Sequence, residues 1–523
     1  METAIGSLDI GIIIVYFLVV LTIGFLVGRK AKTGDDLFLG GRSLTWGFIG
    51  LSLFASNISS TTLVGLAGAA YTTGIVQSVY EWGTAIPFAI LAFIYVPLYL
   101  KSKITTIPEF LELRFDARSR VFFSAVTIVA SIMIDTAGSL YAGALVIQIF
   151  FPAIDLWQTC YFLAIITGIY TAFGGLKAVV YTDSIQAIIL ILGCGILSYL
   201  LFQELDFSWA NLVASVPEGH FSVIKPIGDE SLPWPGLILG VPMLGFWYVA
   251  TNQYITQRIL GAQDVRHARW GIMLAGLLKF LPLFLMVLPG AMAISIYPNI
   301  ENSDMVFPTM VIKTLPAGLI GLVLAGLISA IMSSISSTLN SASTLLVVDF
   351  IKPKKPNLSE KDTMKASRIG TFIFMVIAAL WAPQIINFGG LWGYLQQMYS
   401  IFVPPIIVLF GVGIFFKKGN GDGAFWTLIF GCILGVLFFV LGIFELWTIH
   451  YTINIGIVVL LSTLVFIVVS MMTTQPDQEK VAPYLFSKDL IDYGNENMPW
   501  YKNYKVHITL LLILVAISYY IWR

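Results

Sequence analysis

Long apolar runs separated by short polar stretches repeat along almost the whole chain. A bilayer core about 30 Å thick needs ~20 apolar residues per helix. By that length fourteen segments qualify, centred near residues 18, 58, 88, 134, 164, 190, 247, 283, 331, 376, 402, 433, 461 and 513. The pattern predicts an all-α polytopic membrane protein with no soluble domain. The longest connections are Leu205–Trp234 and Thr473–Lys505. The second is charged and Asn-rich, and reads as a solvated linker before the last helix.

Charge orients these helices. With the N-terminus outside and fourteen alternating spans, the cytoplasmic loops and their edges hold all but four of the 29 Lys and Arg residues; the exceptions are Lys225, Lys313, Arg523 and the intramembrane Lys279. The Leu205–Trp234 connection is acidic instead (Asp206, Glu218, Asp229, Glu230). The positive-inside rule therefore predicts a multi-pass cell-membrane protein with both termini outside. The first run, Ile10 to Val27, is followed by Arg29, Lys30 and Lys32 and is too long for a signal core, so a retained helix is expected.

Composition narrows the classes. The chain is 58% hydrophobic and only 11% charged, whereas soluble domains carry about a quarter charged residues. A formal net charge of zero argues against nucleic acid as a partner and leaves lipid and small solutes. Cys160, Cys194 and Cys432 lie in apolar stretches without metal-ligand spacing and read as packing residues. No nucleophile–base pair, metal cluster or phosphate-binding Gly-Lys-Ser/Thr element is visible, so neither an enzyme nor an ATP-driven pump is expected.

Two apolar segments are chemically unusual. In Ser56-Asn57-Ile58-Ser59-Ser60-Thr61-Thr62, six of seven residues are polar, and such residues compete for backbone hydrogen bonds. The stretch reads either as a continuous helix with back-bonded hydroxyls or as a mid-membrane break whose carbonyls coordinate a cation. In the segment Gly318 to Val348, Ala330, Ser333, Ser334 and Ser337 share one helix face. That face is either a hard-oxygen surface for a small cation or a small-residue packing seam. Glu81, Asp135, Asp183 and Lys279 are ionisable residues inside apolar runs, and such residues are functional hypotheses. Glu81 and Lys279 fit either a structural pair or the lining of a polar cavity for a hydroxyl-rich solute. Around Trp247-Tyr248, aromatic rings neighbour Thr251, Asn252 and Gln253.

These residues resemble the sodium/solute symporter family, and most closely its sodium–glucose cotransporter branch. The resemblance rests on Ala55-Ser56-Asn57-Ile58-Ser59 with Tyr80-Glu81-Trp82; Leu232-Pro233-Trp234-Pro235-Gly236; Trp247-Tyr248 with Asn252-Gln253-Tyr254 and Gln257-Arg258; and Ser333-Ser334 with Leu339-Asn340-Ser341, in family order over nearly the whole chain. It implies a LeuT-like core of ten helices, built as two inverted five-helix repeats with broken first helices. Within a single transporter domain, 1–523, the core would span 45–418, with an extra N-terminal helix at 8–28 and three extra C-terminal helices over 423–523. The breaks would fall near Asn57 and Tyr248.

The resemblance implies a sodium site at Ala55, Ile58, Ala330, Ser333 and Ser334, and a second sodium at Asp183, Ser333, Ser336 and Ser337. It implies a solute site at Asn57, Glu81, Thr84, Tyr248, Lys279 and Gln396, with Thr62, Trp247 and Asp135 as further candidates. Leu66, Tyr80 and Trp392 would form an outer gate, and Tyr248 an inner one. The implied activity is sodium-coupled import of a glucose- or galactose-like sugar or a polyol. Symport of another organic solute (inositol, amino acid or carboxylate) and a sodium-linked sensor or channel are the alternatives. Thr62 and Gly245 stand where some sugar-transporting members carry side-chain amides, and Asp135 where relatives carry an amide or a lysine. Those departures leave the solute open: a different epimer, a polyol or a solute with a positive group.

Overall fold

The computed structural model describes residues 6–28, 34–150, 154–171, 176–388, 390–494 and 498–523. Each of the fourteen apolar runs is helical. The helices are α1 (Ser7–Gly28), α2 (Trp46–Asn57 plus Ser60–Thr73), α3 (Ile75–Ser102), α4 (Ala117–Gln148), α5 (Leu156–Thr171), α6 (Leu176–Gln203) and α7 (Trp234–Thr251, continued by Gln253–Leu260). Then follow α8 (Val265–Ile296), α9 (Leu319–Ile351), α10 (Glu360–Phe388), α11 (Leu391–Val412), α12 (Gly421–Ile443), α13 (Tyr451–Met472) and α14 (Tyr504–Ile521). The basic residues Arg29, Lys30 and Lys32 lie outside the described residues.

Helix α2 breaks inside its polar stretch. Ile58 (φ −80°, ψ 65°) and Ser59 (φ −78°, ψ 172°) leave helical geometry, and the two halves meet at 54°. The Thr62 hydroxyl donates to the Asn57 carbonyl at 2.6 Å, replacing a backbone donor that the break removes. Helix α7 breaks differently. Trp247–Thr251 winds as a π turn, Asn252 is extended (φ −72°, ψ 124°), and the Asn252 side chain accepts from the Tyr254 amide to start the second half. The break thus falls four residues beyond Tyr248, at the residue able to cap the new helix.

Around these breaks the packing is tight. Helix α6 lies against the first half of α2 and against α9, while α11 packs on the second half of α2. The serines of α9 are buried from Ser329 to Ser343. Helix α1 is fastened to α9 by Asp9, whose Oδ1 accepts from the Gly318 and Gly321 amides at 2.7 Å each. A carboxylate from a neighbouring helix here satisfies amides that a helix start leaves without partners.

The Thr473–Lys505 connection departs from the expected solvated linker. It forms short helical turns and buries Val481 and Leu490. Arg269, buried at the start of α8, donates to the carbonyls of Leu490 (3.0 Å) and Ile491 (3.3 Å). A buried guanidinium needs acceptors for its donors, and here the connection supplies them.

Candidate solute and ion site

The two breaks and α9 line a cavity of about 100 Å³. Glu81 lines it. Its Oε2 accepts from Asn57 Nδ2 at 2.7 Å and from Lys279 Nζ at 2.8 Å, and both charged groups are buried. Lys279 ends the first part of α8 and stands 5.6 Å from the centre of the Tyr248 ring. Among the described residues neither Glu81 Oε1 nor the Gln396 amide has a hydrogen-bond partner, and Gln396 lines the cavity. The site therefore offers a neutralised ion pair and a free amide at the same wall. Those are acceptors and donors for several hydroxyl groups at once.

The remaining solute candidates fall around the same space. Thr62, Thr84, Asp135, Trp247 and Tyr248 all line it. The Thr84 hydroxyl proton is directed to the Glu81 carbonyl, so that oxygen faces a solute as an acceptor. Tyr80 and Trp392 also line the cavity, pack edge to face at 5.5 Å, and are held by Tyr451 and Gln77 through bonds of 2.9 and 3.0 Å. Leu66 is fully buried in the core and does not line the cavity. On another wall the Tyr254 hydroxyl donates to Tyr248 at 3.1 Å.

The ion candidates divide into two clusters. Ser334 lines the cavity with Ser56 and Ser59 of the α2 break, and its hydroxyl is buried without a partner among the described residues. Ala55, Ile58, Ala330 and Ser333 are all buried. A set of carbonyl and hydroxyl oxygens suits a hard monovalent cation better than a transition metal. Among the described residues there is no group of three His, Cys, Asp or Glu side chains for the latter.

The second cluster centres on Asp183 of α6. Its Oδ1 accepts from Ser333, and its Oδ2 accepts from Ser52 at 2.7 Å and from Ser56 at 3.3 Å. Arg258 completes the cluster. Its guanidinium donates to Asp183 Oδ2 at 3.0 Å, to Ser337 at 3.0 Å and to Ser52 at 2.7 Å, and is 1% exposed. Ser336 is buried but makes no bond to Asp183 or Arg258 among the described residues, because it points about 100° around the helix from Ser337. Counted by sequence with the cytoplasmic loop edges, Arg258 is an interior residue. Its buried charge in Thr256-Gln257-Arg258-Ile259-Leu260 needed a carboxylate partner, and Asp183 was available.

Sequence reasoning missed Tyr399, Thr338 and Arg258. Tyr399 lies three positions beyond Gln396 and Thr338 four beyond Ser334, on the same helix faces, so helical periodicity from the chosen residues would have found both. Arg258 stood in the Gln257-Arg258 stretch that carries the resemblance, but no role was read for it.

A broken-helix cavity lined by an ion pair, a free amide and an oxygen-rich break has the form of a secondary transporter. Residues 37–431 match the sodium:solute symporter family, and the chain belongs to that family. Sodium/glucose cotransporter 1 of Ovis aries is 34% identical over 474 residues, covering 82% of this chain and 71% of the relative. Sodium/myo-inositol cotransporter 2 of Homo sapiens is 34% identical over 471 residues, covering 83% and 70%. Among solved structures, a substrate-bound, outward-open Na⁺-coupled sialic acid symporter superposes with a TM-score of 0.76 at 23% identity, over 90% of this chain and 99% of that one. A nucleobase-cation-symport-1 family transporter in a closed conformation gives 0.57 at 14% identity, over 87% and 100%. The fold is therefore the LeuT-like one of two inverted five-helix repeats.

Proposed function

We propose that this protein imports a sugar or polyol together with sodium by alternating access, with both termini outside the membrane. The convergence of Asn57 and Lys279 on Glu81 Oε2, beside the free Gln396 amide, carries the reading. It matches a polyhydroxylated solute, and relatives at about 34% identity are named for glucose and myo-inositol transport. Sodium from outside binds the carbonyls of Ala55, Ile58 and Ala330 with the hydroxyls of Ser333 and Ser334, which fixes the α2 break. The solute then binds against Glu81, Lys279 and Gln396, with Tyr248 stacking on its ring. One group of helices rocks against the other, and both ligands leave inward. Each sodium gains ~2.3 kcal/mol per 100 mV of membrane potential, and ~1.4 kcal/mol corresponds to a tenfold gradient.

Thermal stabilisation of the purified protein tests the solute class. Sugars or polyols are expected to raise the melting temperature only when sodium is present, and amino acids and carboxylates to leave it unchanged. Stabilisation by amino acids or carboxylates alone would replace the solute class.

Asp183, Ser333, Ser336 and Ser337 accept a second sodium only in conformations in which Arg258 has left the carboxylate, since the guanidinium now occupies that position. Simultaneous sodium and solute fluxes should then fall from two ions per solute in the wild type to one in Asp183→Ala. An unchanged ratio would make the Asp183–Arg258 pair a structural tie between α6 and α7.

A further inference from the structure

The cavity holds one charge that the sodium and sugar assignments leave unanswered. Asp135 lies in a π turn of α4, Ser131–Thr136, a local widening that is frequent at functional positions. The turn is fixed to α9 by a Thr136–Thr338 hydroxyl bond of 2.7 Å. Asp135 is 9% exposed and lines the cavity, its Oδ1 accepts from the Tyr399 hydroxyl, and its Oδ2 is buried without a partner among the described residues.

The cations that reach this region are already engaged. Lys279 is paired with Glu81 and Arg258 with Asp183, and among the described residues no Lys or Arg bonds Asp135. The cavity lining thus carries one carboxyl group with no cation beside it among the described residues. A buried carboxylate in that condition is costly unless a cation or donor meets it. The wall around it is aromatic. The Trp247 ring lies 4.6 Å from Tyr399 and 5.7 Å from Phe402, and Tyr248 and Tyr254, one on each side of the α7 break, meet edge to face at 6.1 Å. A carboxylate set among ring faces is the chemical setting that binds an ammonium group.

We propose that the transported solute carries an ammonium group, as in an amino sugar or amino polyol. Its cationic nitrogen pairs with Asp135 Oδ2 while its hydroxyls meet Glu81, Lys279 and Gln396. The inference rests on the sugar-or-polyol reading above and sharpens it to the cationic members of that class. A neutral sugar would leave Oδ2 without a charge partner, and a polar site rejects an analogue that leaves its buried group unpaired.

Radiolabelled glucosamine, N-acetylglucosamine and glucose, offered to the purified protein in liposomes under an inward sodium gradient, decide the matter. Acetylation removes the charge and keeps the ring. The half-saturating concentration of glucosamine is expected to be at least about tenfold below those of the two neutral sugars, the scale of a charge-assisted hydrogen bond. Asp135→Asn should bring the three within roughly twofold, and Asp135→Glu should restore part of the preference. Sodium-driven glucose uptake at equal or better affinity than glucosamine would overturn the ammonium assignment and leave the sugar reading standing. Equal weakening of all three sugars in Asp135→Asn would also overturn it, by giving the carboxylate to a coupling cation. Absence of sodium-dependent uptake of these sugars and of myo-inositol would remove both.

Discussion

Replacing Ser334 by alanine is expected to abolish the sodium dependence of solute uptake at ordinary sodium concentrations while leaving the protein folded. The Ser334 hydroxyl is buried, lacks a partner among the described residues and lines the same cavity as the α2 break. Its removal therefore leaves no protein group unsatisfied, and alanine is the better helix former. On the sodium site proposed above, what goes is one oxygen of a small coordination shell. A contact to a charged group is worth about 1.5–3 kcal/mol, so half-saturating sodium should rise about ten- to a hundredfold. A sodium titration of uptake, run beside a melting curve, separates the two effects. Wild-type sodium dependence in the variant would refute the ion assignment.

Glu81→Ala and Lys279→Ala are each expected to lower transport efficiency by at least about a hundredfold. Removing one member of a buried pair leaves the other uncompensated, at a cost of about 3–5 kcal/mol, of which solute binding bears part. Asn57 would also lose the acceptor of its 2.7 Å bond in Glu81→Ala. The double variant should lose much less than the sum of the single ones, because residues that share a contact are not additive. Initial uptake rates across solute concentrations give the cycle. Additive losses would mean that the two residues act separately and not as one solute-facing unit.

The first break was legible because hydroxyl and amide side chains crowd Ser56–Thr62, and the chain left helical geometry at Ile58 and Ser59 within that run. The second was not legible locally. Trp247-Tyr248-Val249-Ala250-Thr251 reads as ordinary apolar helix, and the break depends on a π turn followed by an Asn252 cap, which no periodicity announces. Only the family resemblance placed it, and four residues early. The Glu81–Lys279 pair was one of two open readings until the structure set Nζ 2.8 Å from Oε2 in a cavity wall. Asp183 and Arg258 are 75 residues apart. Their pairing comes from the packing of α6 and α7 around α9, and nothing in either local sequence selects that partner.

Sodium-driven accumulation tests the central claim most directly. Purified protein in sealed liposomes is given an inward sodium gradient with the inside negative, and labelled sugars and myo-inositol are followed over time. The expected result is a transient overshoot of a sugar or polyol above its equilibrium level, abolished when potassium replaces sodium or when the gradient is collapsed. Uptake that only equilibrates, or that proceeds equally without sodium, would contradict the account.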